Sequence, residues 1–508
     1  MAETTHYSTI VIGAGSGGMT VAIGLAALGR EVALVEAHAV GGDCTNVGCI
    51  PSKTLIHLAE QRAAGEGGVG DAAAVLATVQ ARRDHLRDEE TELVQHTDHL
   101  RFVRGWAQFI GPKLLEVSHG GVTQRLSADQ IVIATGSRPR TIAIPGLPAE
   151  RVLTNESVFE LADAPRHLAI VGSGVIAMEL SFAFRKLGSR ITIVTQDRRV
   201  LASSAPEASA VLAQSLAARD IDVRYGVSVA GYDEPTQTLR LTSGAVEDVD
   251  AALLALGRVR NIDRLGLERA GVRFDPARGI PVDSQGRTNI PGIYAVGDVT
   301  PDSYWTHSAN AQGRQVVQRI AFPLLPAPRR TPLYPSAVFS DPEVAQVGLT
   351  PDQIARRYHP GLIKTLRIEL KTTDKGYTER LERGFIQISA LRLTGRILGA
   401  TIVGPRASEM ITFLTLAISA RISLYRLFRL VYAYPTLSLG IQKLADTFVR
   451  ETLPNLPAEL RDVARYGLAT LWLRSGGRWM QPGADRADAA ASGVTLAPDA
   501  IESAPLNA

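Results

Sequence analysis

The chain has 508 residues, 45% of them hydrophobic and 21% charged, which suits about three folded domains and excludes both a single small module and a mainly disordered chain. Lys plus Arg exceed Asp plus Glu by 54 − 51 = 3, and the charges are interspersed, so no basic footprint for nucleic acid exists. Two cysteines, Cys44 and Cys49, are too few for a secreted disulfide framework, and their confinement to one segment points to redox or metal chemistry.

The N-terminus shows no export signal, so the cytoplasm is the expected compartment. The longest apolar stretch, Met410 to Ala420, is too short to span a bilayer and is closed by Arg421.

In chain order, Thr9 to Ile12 reads as a strand, Gly13 to Gly18 as a turn, and Met19 to Leu28 as a helix ending at Gly29. This is a βαβ unit whose Gly13-x-Gly15-x-x-Gly18 turn lets backbone approach a pyrophosphate, while Glu36 ends the next strand where a ribose hydroxyl binds. FAD or NAD fits such a site equally. A second copy runs from His167 to Thr195, with the turn Gly172-x-Gly174-x-x-Ala177. Its following strand ends without an acid at the position of Glu36, and Arg198 and Arg199 follow, so NADPH is expected over NADH, although neighbouring Asp197 offers local neutralisation.

Arg82 to Leu100 reads as a charged helix, and Ile131 to Ala134 as a buried strand returning to the first sheet. Gly292 to Asp298 has the same form. From about Pro332 alternating strands appear, including Ala337 to Phe339 and Phe385 to Ile388, followed by helices over Ser408 to Ala420 and Leu439 to Arg450. After Pro454 comes an extension with Trp472 and Trp479 beside Arg465, Arg474 and Arg478, then an Ala, Asp and Pro tail from Gly483 expected to be disordered.

Cys44 and Cys49 stand in Gly41-Gly42-Asp43-Cys44-Thr45-Asn46-Val47-Gly48-Cys49-Ile50-Pro51-Ser52-Lys53. In a regular helix a five-residue separation rises about 7.5 Å, beyond the usual disulfide Cα distance, so a bridge requires an irregular first turn, which Gly48 permits. Pro51 fits the first turn of a helix and puts Cys49 at its positive end, where a thiolate is stabilised. A reversible disulfide is favoured over two free core cysteines, and over metal ligation because no His or further Cys lies at ligand spacing. Lys53 falls about one helical turn beyond Cys49 on the same side, and Glu179, early in the second nucleotide helix, is its candidate partner.

These residues, with Ala134 to Pro139, Ala255-Leu256-Gly257-Arg258, Tyr294 to Asp298 and Asp341 to Leu349, resemble the class I pyridine nucleotide-disulfide oxidoreductases over about Tyr7 to Arg450. The resemblance implies an α/β fold of two Rossmann-like dinucleotide-binding domains plus a C-terminal α+β dimerisation domain. The expected division is 1–150 with 281–331 for FAD, 151–280 for NAD(P), 332–453 for dimerisation and 454–508 as the extension. It implies FAD on the first site, NADPH or NADH on the second, and a homodimer whose active site uses both chains. Cys49 is then the charge-transfer thiolate beside the flavin, Cys44 the outer thiol that exchanges with substrate, and Lys53 with Glu179 lies near the flavin N5. Asp298 would hold the ribityl chain, and Gly42, Thr135, Gly136 and Gly257 would line the cofactor sites.

The substrate end departs from the disulfide reductases. Tyr434 stands where their proton-moving His is found and Leu439 where the Glu follows it, so dithiol turnover is expected to be slow. Tyr432-x-Tyr434-x-Thr436 and Leu444-Ala445-x-Thr447-Phe448 resemble mercuric reductase, which makes a soft metal ion or small oxidant the leading acceptor. Yet the sequence has no further cysteine pair to deliver Hg(II), and no metal-binding domain is seen ahead of residue 8. Dihydrolipoyl dehydrogenase is the alternative enzyme. A redox-sensing flavoprotein whose extension docks on a partner or lipid surface is the lesser reading, with ordinary packing of that extension on the dimer preferred.

Overall fold

A computed structural model of the chain describes residues 4–301, 304–326 and 333–474. The apolar β-branched runs seen in the sequence become the central strands of two parallel sheets. In the first, Thr4–Ile12 lies between Val32–Glu36 and Val122–Ile133, with Leu100–Arg104 outside Val32–Glu36 and the short Ile293–Ala295 pairing with Val122–Ile133. A meander of Trp106–Gly111 and Leu114–His119 continues this sheet antiparallel. The second sheet orders Asp222–Tyr225, Arg190–Thr195, His167–Val171, Ala251–Leu254 and Val152–Leu153, all parallel. Parallel strands need crossovers, and helices α1 (Ser16–Ala26) and α5 (Val175–Leu187) supply the first crossover of each sheet.

The two glycine turns repeat one close approach. A Cβ on Gly13 would lie 2.3 Å from the Ala134 carbonyl oxygen, and one on Gly172 would lie 2.3 Å from that of Ala255, and both glycines have positive φ. No side chain fits at either position, so the strand, the turn and the returning strand pack against one another only with glycine there.

The third unit is a five-stranded antiparallel sheet, from Ser336–Val338 through Val344–Gly348, Ile397–Val403 and Phe385–Leu391 to Ile363–Glu369, covered by helices Ala407–Ser419 and Leu439–Thr452. Phe385, Ile386, Ile402, Leu414 and Phe448 are fully buried in this unit. Among the described residues no helix is long and apolar enough to cross a membrane.

One sequence expectation is corrected. Helix α4 spans Ala72–His96, so Leu100 does not end it; it opens the edge strand Leu100–Arg104, paired with Val32–Glu36. The irregular turn expected between the cysteines is present: Cys44 lies in α2 (Gly42–Asn46), and α3 (Cys49–Ala63) begins at Cys49. The break at Val47 and Gly48 removes the helical rise that would have held the sulfurs apart. Gly48 is required there because a Cβ would come within 2.6 Å of the Asp43 carbonyl oxygen.

The described part of the extension forms helix Leu456–Arg474, which packs on its own chain. Glu459, 4% exposed, accepts from Lys364 at 2.7 Å and Arg392 at 3.1 Å, and Arg392 also reaches Asp462 at 3.1 Å. Tyr466 stacks on His359 with ring centroids 4.3 Å apart. Trp479 and the tail from Gly483 lie outside the described residues. Glu459→Ala takes the carboxylate from the largely buried Lys364 and leaves Arg392 only Asp462, and is expected to cost about 3 kcal/mol in urea unfolding; a change below about 0.5 kcal/mol would show that the network does not anchor the helix.

Candidate active site

A cleft of about 930 Å³ runs from the first glycine turn to the cysteines, lined among others by Gly13, Gly15, Glu36, Gly42, Thr135, Gly136 and Asp298. At its far end lie Cys44, Cys49, Lys53 and Glu179. Glu36 closes the turn end: one carboxylate oxygen accepts the Ala14 amide and the other the His38 amide, each at 2.7 Å. Gly42, at φ +57°, passes so close to Gly15 that a Cβ would lie 2.7 Å from the Gly15 Cα. This bare backbone cradle at the start of α1 has the form a pyrophosphate requires, and the acid beside it suits a ribose.

Midway along, Asp298 accepts from the Ser137 hydroxyl at 2.6 Å. Burial pushes its carboxyl above the usual range, opposed by Ser137, Arg258 and Arg260. Arg258 donates to the Ser137 hydroxyl at 2.6 Å and also pairs with Asp43, the residue before Cys44. Thr135 donates to the Asn261 carbonyl at 2.7 Å, and the Gly257 carbonyl accepts the Arg140 amide at 2.9 Å.

The two sulfurs are not joined in a disulfide. The hydrogen bond Cys44 gives to Cys49, together with burial, holds the Cys44 thiol far above its ordinary value. The same bond lowers Cys49 to about 6, helped by Thr306 and by the charge of Lys53 against the opposing effect of burial. Cys49 also opens α3, where the helix end favours a thiolate. The pair therefore shares one negative charge, centred on Cys49.

Lys53, one turn along α3, donates to Glu179 at 2.7 Å and lies 4.6 Å from the Phe339 ring centroid. The other Glu179 oxygen accepts the Phe339 amide at 3.1 Å, so one buried carboxylate joins α3, α5 and the third unit. The structure thus brings together four of the five sequence-derived catalytic candidates. Tyr434 is the exception: it is 71% exposed and does not line the cleft of its own chain.

At the second turn, Gly172 and Gly174 stand at the start of α5 as expected, and Arg198 is exposed. Arg199 donates to the Ala202 carbonyl at 2.8 Å and the Ser204 carbonyl at 3.3 Å, which ties it to its own loop.

Sequence reasoning missed three contributors. Thr306, at the start of helix Thr306–Ala321, meets the Cys49 sulfur at 3.4 Å from 257 residues away. Asp43 is within the cysteine motif, but its partner Arg258 is 215 residues distant. Glu90 on α4 abuts Gly41 and Thr45; burial pushes its carboxyl up, and its charge bears on Cys44. Only Asp43 and Arg258, each inside a recognised motif, left a local signal. Among the described residues no cluster of three or more His, Cys, Asp or Glu is placed to hold a metal ion.

The cleft and its thiols are those of a flavin-dependent disulfide oxidoreductase, and the chain belongs to the pyridine nucleotide-disulphide oxidoreductase family, whose model matches residues 7–315. The family's dimerisation domain matches residues 334–445. Members are FAD-containing, NAD(P)H-dependent enzymes. Dihydrolipoyl dehydrogenase of Chlamydia muridarum is 33% identical over 448 residues, covering 85% of this chain and 94% of that protein. Dihydrolipoyl dehydrogenase 3 of Pseudomonas aeruginosa is 32% identical over 463 residues, covering 86% and 97%. Among solved structures, the Cu(II) complex of the HOCl-induced flavoprotein disulfide reductase RclA from Escherichia coli superposes with TM-score 0.80 at 25% identity, covering 87% of this chain and 100% of that one. LpdA from Mycobacterium tuberculosis gives 0.79 at 27%, covering 87% and 99%. None of these four is named a mercuric reductase, and the names of the two sequence relatives favour the dihydrolipoyl alternative.

Because Cys49 is depressed to about 6, its thiolate adds stability to the reduced protein that is present above the ordinary thiol value and lost as pH falls through about 6. In Cys44→Ser, whose hydroxyl still donates, alkylation of Cys49 is expected to rise with a midpoint below the ordinary thiol value, and adding Thr306→Ala should move that midpoint up. A midpoint at the ordinary thiol value of about 8.5 in both variants would contradict this.

Proposed function

We propose that this chain exchanges electrons between a nicotinamide dinucleotide and a small vicinal dithiol, in the manner of a dihydrolipoyl dehydrogenase, and works as a homodimer. The single observation that carries the reading is the Cys44 and Cys49 pair at the end of a dinucleotide-sized cleft, with the Lys53 and Glu179 ion pair beside it. The names of the relatives support the choice of dithiol. FAD, when bound, supplies two-electron transfer between nicotinamide and thiols.

Cys44, held protonated, serves as the exchanging sulfur, and Cys49 as the inner thiolate against Thr306. In the oxidised enzyme a substrate thiolate attacks the Cys44 sulfur, the Cys44–Cys49 bond breaks, and Cys49 leaves as a thiolate already stabilised by α3 and Lys53. The second substrate thiol then displaces Cys44 from the mixed disulfide, and the proton it gives up returns to Cys44. Substrate is oxidised to its disulfide, and the enzyme pair is reduced by two electrons. Glu179 fixes the Lys53 ammonium near Cys49 and keeps its charge from wandering into solvent.

Tyr434 favours a second reading. With a phenol and Leu439 in place of a His and Glu pair, proton movement at the outer thiol lacks its usual catalyst, and a soft metal ion chelated by two thiolates needs none. The Cu(II) bound in the RclA structure fits that chemistry.

Purified holoenzyme given NAD⁺ and dihydrolipoamide is expected to form NADH with saturation, and Cys44→Ser should lower this by about 1,000-fold or more. No NADH formation, with NADH-dependent reduction of Cu(II) or Hg(II) instead, would overturn the dithiol reading in favour of the second. Lys53→Ala should cut dithiol turnover by roughly 10-fold or more while leaving Cys44 alkylation in place; unchanged turnover would remove the ion pair from the mechanism.

A further inference from the structure

Strand Arg190–Thr195 and strand Val32–Glu36 occupy equivalent places beside their glycine turns, with Val194 opposite Val171 as Val35 is opposite Ile12. Thr195 therefore stands where Glu36 stands, and the sequence shows no acid there. The acid arrives two residues later by folding back. Asp197 Oδ2 accepts the Ser173 hydroxyl at 2.8 Å, and Ser173 is the residue between Gly172 and Gly174. Ser173 Oγ in turn accepts from the Thr195 hydroxyl at 3.0 Å, while Thr195 Oγ1 accepts the Asp197 amide at 3.1 Å. Two short hydroxyl side chains thus pin a carboxylate to the second turn, much as Glu36 is pinned to the Ala14 amide of the first at 2.7 Å.

Of the cations expected to greet a 2′-phosphate, one is engaged elsewhere and the other is exposed. Arg199 is held by the carbonyls of Ala202 and Ser204, and Arg198 is exposed. Gln196, the other polar side chain past the strand end, donates to the Ser228 hydroxyl at 2.7 Å. Asp197 is itself exposed, and among the described residues no group hydrogen-bonds its Oδ1, which leaves that oxygen as an acceptor for a ligand hydroxyl. A carboxylate fixed at this turn accepts ribose hydroxyls and repels a phosphate.

We propose that Asp197, positioned by Ser173 and Thr195, selects the unphosphorylated adenosine ribose, so that the chain uses NADH in preference to NADPH. This rests on the reading of residues 172–177 as the nicotinamide dinucleotide turn. It reverses the NADPH preference expected from Arg198 and Arg199, because the local sequence shows their charge but not the hydrogen bonds that occupy Arg199 and hold Asp197.

The test is anaerobic stopped-flow reduction of the FAD-loaded enzyme by NADH and by NADPH, followed by flavin bleaching, which needs no electron acceptor. The apparent Kd for NADPH is expected to exceed that for NADH by roughly 10-fold or more. Asp197→Ser and the isosteric Asp197→Asn should each bring the ratio toward one, mainly by tightening NADPH, with flavin content unchanged. A wild-type preference for NADPH, or a ratio that neither variant moves, overturns the proposal. Bleaching by neither coenzyme would instead refute the nucleotide-site reading on which it rests.

Discussion

One negative charge shared by two sulfurs governs the chemistry of this protein. Cys49 begins α3, receives a hydrogen bond from Cys44, touches the Thr306 hydroxyl and feels the Lys53 charge. Each of these favours the thiolate against the cost of burial, and together they make Cys44 the protonated partner. An asymmetric pair is what a two-step exchange needs: one sulfur to meet the substrate and one to leave easily. The break between α2 and α3 is the structural condition for it, since a continuous helix would hold the sulfurs apart.

The rest of the fold brings distant groups to that pair. Glu179 reaches it from the second dinucleotide unit and simultaneously accepts the Phe339 amide of the third, so a single buried carboxylate links three parts of the chain at the reacting end of the cleft. Arg258 does similar work, joining Asp43 next to Cys44 with Ser137 and Asp298 along the cleft wall. Such cross-links cost desolvation and contribute less to net stability than apolar packing of equal size; their value is in fixing where charges stand.

What the sequence made legible was local. The glycine turns, the strands beside them and the cysteine segment announce themselves because each depends on residues within one short stretch, and Gly13 and Gly172 admit no side chain for a reason visible in the motif. The pairing of Lys53 with Glu179 came from placing each on its helix. Thr306, Arg258 acting on Asp43, and Glu90 became visible only when the chain closed, because their partners lie far away in sequence or on the far face of another helix. Arg199 shows the same limit: its charge is written in the sequence, and its engagement with backbone carbonyls is not. Tyr434 is exposed and does not line the thiol cleft within one chain.

The assignment of the two sulfurs is tested most directly by pH titration of FAD-loaded single-cysteine variants with the flavin kept oxidised, watching the long-wavelength absorbance that a thiolate gives against oxidised flavin. Cys44→Ser should display that band, and Cys49→Ser should lack it at every pH in the working range. The reverse pattern, or the band in neither variant, would contradict the placement of the charge on Cys49.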